Sequence, residues 1–445
     1  MKNDPYNSLK VWISVFVLLL VAPGGVALAH RHPAYSHDAT TGHQRPRWMS
    51  HLPGMIFLSD LAMVGTHDTM SFYGGDAVQT QTMSLRTQLN AGVRALDIRL
   101  ARVIVIENFR IGAGGLALHH GIVYQNADFD DVLRDVSGFL NDNPSETVLM
   151  RVTSASESDE EKVQTLARLF PTPVNNTPIT NKFTRDAYYE SVGMRRMERL
   201  LSFPEMFMLY ANNPAFAGKF YKEDPFNLTL GNARGKIVLL RDFPVGSPVQ
   251  VSFGLDYGNR VNYGRRPSET PRNPNAPFFM VQDEFSVTTN WDLYDKWIKI
   301  KTMINSVHSR INGGDPGGRG RVFLINYLSA AGGSFPYFIA SGHSNPATGG
   351  PRLATGKSTP AFNSWKDFPR VDCLNKNGPR FIGPVCTIAF EGTNTLTEEH
   401  ISRNIRRALP GILMADFPGQ GLIDEAIALN FGRHRPANPV WQRSQ

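Results

Sequence analysis

Short apolar runs, several of them stopping on an ionisable residue, limit what this chain can fold into more than any other feature. Residues 61–64 lead into Gly65-Thr66-His67-Asp68, and residues 93–98 carry Asp97 just ahead of Arg99. Leu116-Ala117-Leu118 precedes His119-His120-Gly121, and residues 411–415 stop at Asp416. Further runs fill 147–152, 236–240 and 322–327. Runs this short, rich in Val, Ile and Leu, read as buried strands. Between some of them the apolar period changes. Phe129, Val132, Leu133, Val136, Phe139 and Leu140 mark one face of a helix over 128–141. Residues 291–308 and 398–409 repeat that spacing, the second ending at Pro410-Gly411. Strands alternating with helices build a parallel sheet with crossovers, and 445 residues are enough to close one into an α/β barrel. No linker or internal repeat is visible beyond residue 50, so residues 51–435 are expected to form one domain.

In such a barrel, polar side chains at the carboxyl ends of strands line the site. That would bring His67, Asp68, Asp97, Arg99, His120 and Asp416 together. Taken singly, each is more readily a satisfied core histidine or a structural ion pair. Four strand ends of this kind in one chain point to chemistry instead. Two imidazoles titrating near neutrality can serve as base and acid across one phosphodiester. An arginine offers planar, permanently charged donors to phosphate oxygens. A carboxylate behind each histidine would fix its tautomer and raise its basicity.

The amino end has the layout of a secretory signal over residues 1–29: Lys2 and Lys10, an apolar run over 11–22, then Ala27-Leu28-Ala29. The apolar run is short for a membrane span. A polar lead over residues 30–50 follows, expected to be flexible, with His30, His32, His37 and His43. An exported chain meets oxidising conditions, and Cys373 and Cys386, the two cysteines present, flank a turn-rich stretch suited to one local disulfide. The net charge of +7 suits an anionic partner such as a phospholipid surface. No basic block or aromatic-basic module of a nucleic-acid binder accompanies it.

Over residues 64–152 the chain resembles bacterial phosphatidylinositol-specific phospholipase C, an X-domain phosphodiesterase. The resemblance is carried by Gly65-Thr66-His67-Asp68, Leu96-Asp97-Ile98-Arg99, Leu118-His119-His120-Gly121 and Asn143-Pro144-Ser145-Glu146-Thr147. It resumes at Arg234-Gly235-Lys236-Ile237-Val238, Val281-Gln282-Asp283, Leu324-Ile325-Asn326-Tyr327 and Asp416. It implies a single distorted (β/α)8 TIM-type barrel that cleaves the headgroup from the lipid without a metal or other cofactor. It further implies His67 as base oriented by Asp416, His120 as acid assisted by Asp68, and Arg99 with Asp97 at the phosphate. The products would be diacylglycerol and inositol 1,2-cyclic phosphate, made at a membrane surface by a secreted monomer.

Asp283 matches an inositol-binding aspartate, and Phe285 stands where the family has tyrosine. Residues 151–154, Arg-Val-Thr-Ser, replace a stretch containing a lysine. A headgroup-binding arginine falls at Arg241 or Asp242. Met70, Phe72 and Tyr73 could form an apolar rim. Two other readings are a sphingomyelinase-D-like phosphodiesterase, whose acidic magnesium ligands are not found around His67 and Asp97, and a catalytically silent lipid- or glycan-binding barrel.

Overall fold

The computed structural model describes residues 34–107, 110–154, 201–244, 251–263, 270–312, 322–346, 350–374, 384–403 and 410–433. The expected signal at 1–29, the start of the polar lead and residues 404–409 of the last expected helix lie outside these.

Strand β1 (Met63–Thr66) is followed by helix α1 (Leu85–Ala91) and strand β2 (Ala95–Glu107). Strand β2 continues past the sheet as an antiparallel hairpin with β3 (Arg110–His120), which turns back as β4 (Val123–Asp128). Helix α2 (Phe129–Asp142) leads to β5 (Val148–Ser154). Helices α3 (Phe203–Asn212) and α4 (Leu230–Ala233) precede β6 (Ile237–Asp242). Strands β7 (Leu255–Asp256), β8 (Arg260–Asn262) and β9 (Phe278–Gln282) then follow with no helix between them among the described residues. Helix α5 (Asn290–Asn312) crosses to β10 (Val322–Tyr327), and α6 (Pro336–Ser341) opens an excursion of three strands, β11 (Leu353–Ser358), β12 (Arg370–Leu374) and β13 (Val385–Phe390). Helix α7 (Thr393–Arg403), β14 (Ile412–Ala415) and α8 (Gln420–Arg433) complete the set.

The main sheet runs β7-β6-β5-β2-β1-β14-β10-β9-β8, every neighbour on that path parallel. Its strands are continuous apolar runs because both faces are covered: Val148, Leu149, Met150, Ile237, Val238 and Leu239 are all buried. The expected distorted barrel is therefore present as a curled parallel sheet. It is open at one place, since among the described residues no ladder joins β7 to β8.

Helix α2 begins with a reciprocal cap in which Asp128 accepts from Asp131 N at 3.0 Å and Asp128 N donates to Asp131 Oδ2 at 3.1 Å. Below the sheet, Arg94 and Glu146 form a fully buried ion pair at 2.8 Å, just before β2 and β5 begin. The Ser-Glu-Thr segment thus ties the amino ends of two strands and stands away from the site. The stretch after α6 folds as a separate antiparallel sheet in the order β11-β13-β12, with Cys373 on β12 bonded to Cys386 on β13.

The lead, expected to be flexible, is anchored from Ala34 onward. Tyr35 is buried with its ring 5.9 Å from that of Phe417, and its hydroxyl donates to Pro346 O at 2.9 Å. One buried aromatic outweighs the polar composition around it.

Candidate active site

Strand β1 sits between β14 and β2, pairing Thr66 with Ala415 on one side and with Leu96 on the other. Gly65 permits this approach, because a Cβ there would stand 2.8 Å from the Cβ of Ala95. The backbone N–H of His67 donates to Ala415 O at 3.0 Å, which places its imidazole beside Asp416 on the next strand. Nδ1 of His67 lies 2.8 Å from Asp416 Oδ1.

Both turns are strained. Asp68 has φ +41° and Phe417 φ +45°, in a region non-glycine residues rarely enter without compensation. Thr80 Oγ1 donates to Asp68 O at 3.0 Å, and Gln81 Nε2 donates to His67 O at 2.9 Å. Phe417 N donates to Thr80 O at 2.9 Å, and Asn394 Nδ2 donates to Asp416 O at 2.9 Å. Buried side chains thus hold the two turns whose residues meet in the site.

Strand β2 supplies Asp97 and Arg99, two apart and therefore on one face. The guanidinium of Arg99 is the hub. Its Nε pairs with Asp68 Oδ1, one Nη donates to His67 Nε2 at 3.0 Å, and the same Nη lies 3.6 Å from Asp97 Oδ2. His67, Asp68 and Asp97 present ligand atoms within 4.8 Å of one another, a spacing a cation could bridge. Arg99 pairs with all three. A fixed positive charge already balances them, and it would repel an ion brought alongside.

The tautomers follow from the donors. A guanidinium only donates, so His67 Nε2 in this contact is an acceptor and Nδ1–H points at Asp416. Burial opposes a proton on His67 and so does Arg99, but Asp68 and Asp416 outweigh both and raise its pKa to about 9. The contact with Arg99 identifies the neutral form. The two carboxylates account for that form's strong basicity.

The second histidine comes from an unexpected element. His120 does not end a barrel strand; it ends β3 of the hairpin, against Val123 of β4. Ser71 Oγ donates to Val78 O at 2.9 Å, which spends its one proton, so at 2.9 Å from His120 Nδ1 it accepts. His120 Nε2 faces Asp68 Oδ2 at 3.3 Å, and His67 Nε2 faces the same oxygen at 3.5 Å. The two imidazoles therefore share one carboxylate oxygen. His119 packs beside Tyr124 instead.

Register places the remaining charges. Asp97 lies opposite Arg151 on β5, and Thr153 opposite Asp242 on β6. Arg151 donates to Asp97 Oδ1 at 2.8 Å, to Asp242 Oδ2 at 3.0 Å and to the Tyr327 hydroxyl at 3.1 Å, with its guanidinium 4.7 Å over the Tyr257 ring. Burial alone would raise Asp97, but Arg151 and then Arg99 pull its pKa down to about 2. Asp242 also meets Arg260 at 3.1 Å. Arg241 turns the other way and donates to Val251 O at 2.7 Å. Of the two positions left open by sequence, Asp242 is the one bonded to the site.

Over residues 57–172 the chain matches the PI-PLC X family model. That stretch is similar to a PI-PLC X domain. A 1-phosphatidylinositol phosphodiesterase of Staphylococcus aureus (strain NCTC 8325 / PS 47) is 26% identical over 352 residues, 77% of this chain and 88% of that protein. One from Listeria monocytogenes serovar 1/2a is 36% identical over 146 residues, 30% of this chain and 42% of the relative. The solved phosphatidylinositol-specific phospholipase C from Listeria monocytogenes aligns with 87% of this chain and 98% of its own at 19% identity and a TM-score of 0.45.

The residues brought together are His67, Asp68, Asp97, Arg99, His120 and Asp416. Asp283 and Phe285 stand exposed just after β9. The site residues that sequence reasoning missed are Ser71, Arg151, Tyr257 and Tyr327. The proposed rim divides: Met70 is buried and Phe72 half-buried, while Tyr73 is 50% exposed.

Proposed function

We propose that this protein is a secreted, metal-independent phospholipase C that cleaves phosphatidylinositol or its glycosylated forms by base–acid catalysis between His67 and His120. The carrying observation is the order Asp416–His67, Asp68, His120–Ser71, with Arg99 inside it. His67 Nε2 takes the proton of the inositol 2-hydroxyl, and that oxygen attacks phosphorus. The bond to the diacylglycerol oxygen breaks as His120 Nε2 delivers its proton there. Arg99 stabilises the charge building on the non-bridging oxygens. Diacylglycerol and inositol 1,2-cyclic phosphate leave. His67 is then protonated and His120 neutral, the arrangement needed for water to open the cyclic ester in the reverse sense.

Asp283 suits the headgroup as an acceptor for sugar hydroxyls, with Phe285 as a face to stack on. Tyr73, Ile122, Phe285 and Phe335 are about half exposed and follow β1, β3, β9 and β10, so they form an apolar rim suited to a membrane. The signal-like amino end and the disulfide support export. The test is purified protein with phosphatidylinositol vesicles, followed by phosphorus NMR. Cyclic phosphate from wild type and its loss in His67→Ala are expected. No product, or undiminished product from the variant, refutes the proposal.

A further inference from the structure

Asp416 holds His67 through one oxygen. Its Oδ1 meets Nδ1 at 2.8 Å, while Oδ2 is buried without a hydrogen bond among the described residues. The carboxylate is therefore aimed by the backbone of its own turn, and that backbone is strained at Phe417, φ +45°. A residue stays in such a region only where its surroundings over-determine it. Asn394 and Thr80 hold the turn from one side. The lead holds it from the other.

Ser36 N donates to Phe417 O at 3.1 Å and Gly419 N donates to Ala34 O at 2.8 Å, an antiparallel bridge centred on Tyr35 and Pro418. Tyr35 and His37 are two apart and so share one face of the extended lead. Their rings stand 5.9 and 5.0 Å from that of Phe417. Tyr35 and Phe417 join Tyr337 and Ala340 of α6 in a small buried cluster of their own, separate from the main core. The hydroxyl bond to Pro346 O ties Tyr35 down at its far end. The lead reaches the other catalytic turn as well. Thr82 Oγ1 donates to Asp38 O at 3.0 Å, two residues after the Thr80 that holds Asp68 O.

We propose that Tyr35 is a positioning residue for catalysis, a ring supplied by the lead that seats Phe417 and so aims the Asp416 carboxylate at His67 Nδ1. This rests on the base role given to His67 above. The effect reaches the reacting atoms through the turn, so it belongs to turnover and not to KM.

Tyr35→Ala empties the seat of Phe417. Two readouts apply: kcat and KM on phosphatidylinositol vesicles, and the proton NMR signal of His67 Nδ1–H, which its bond to a carboxylate shifts downfield. In the variant kcat is expected to fall about tenfold or more with KM little changed, and the His67 signal to move upfield or be lost to exchange with water. Tyr35→Phe keeps the ring and should recover most of both. Ser36→Pro withdraws the N–H from Phe417 O and leaves the Tyr35 ring intact. It should show the same changes in milder form, and it decides the matter if Tyr35→Ala does not fold. A purely structural role would lower Tm and leave the His67 signal of the folded variants where it is, which overturns the inference. An inactive wild type overturns the function instead, and the His67 signal still decides the role of Tyr35.

Discussion

Replacing Asp416 with asparagine isolates one charge at nearly constant volume. The backbone contacts of the residue survive, since Asn394 bonds to its carbonyl and His67 N to Ala415 O. The 2.8 Å contact with His67 Nδ1 changes in two ways. A charge-assisted hydrogen bond becomes a neutral one, a loss of about 1–1.5 kcal/mol. The asparagine amide can also donate to Nδ1, which favours the tautomer with a proton on Nε2 and removes the base. Together these give an expected fall in kcat of about 10²–10⁴-fold.

The pH dependence has a fixed sign as well. Asp68 and Asp416 are what raise His67 to about 9, so Asp416→Asn should move the acidic limb of kcat/KM to lower pH. A histidine raised from 6.5 to about 9 on folding contributes stability that is full below 6.5 and lost as pH rises through 9. The variant forfeits part of that contribution. Its deficit in Tm should therefore be larger at pH 6 than at pH 9. Turnover on phosphatidylinositol vesicles across pH, with melting curves at both ends, is the assay. Turnover within a few-fold of wild type and an unmoved limb would refute the role given to Asp416.

Ser71→Ala removes the acceptor for His120 Nδ1 and should lower kcat about 3–10-fold with KM little changed; an unaltered kcat would show that Ser71 does not orient the acid. Arg151→Met leaves Asp97 buried without its nearest cation, at a cost of about 3–5 kcal/mol by urea unfolding. Asp97 is held at about 2, so its contribution is present above its ordinary value and lost as pH falls toward 2. The acid-unfolding midpoint of Arg151→Met should accordingly move upward. EDTA should leave wild-type turnover unchanged, because Arg99 already balances His67, Asp68 and Asp97; loss in chelator restored by calcium would contradict that account.

The parallel strands were legible because both faces of each are covered, so the runs at 147–152, 236–240 and 322–327 are mostly apolar and stand out. Val322–Tyr327 agrees to the residue. The β3 hairpin was not legible, since an apolar run ending in His120 looks the same whether it crosses the barrel or folds back along β2. Arg151 looked like a departure from a family pattern. Its role depends on which residue of β2 lies opposite, and a one-residue slip would turn it to the other face. The same alternation left Arg241 and Asp242 undecided until Asp242 was seen bonded to Arg151. Tyr35 was hidden within a polar lead.

The charges of the site also explain how two identical side chains take opposite roles. Asp68, Asp97 and Asp242 meet the guanidiniums of Arg99, Arg151 and Arg260, while Asp416 meets His67. Arg99 distinguishes the two histidines. It lies against Nε2 of His67, where only a lone pair can meet it, while His120 Nε2 faces Asp68 and its Nδ1 faces an accepting hydroxyl. His67 thus offers a lone pair to a donor, and His120 offers an N–H to an acceptor.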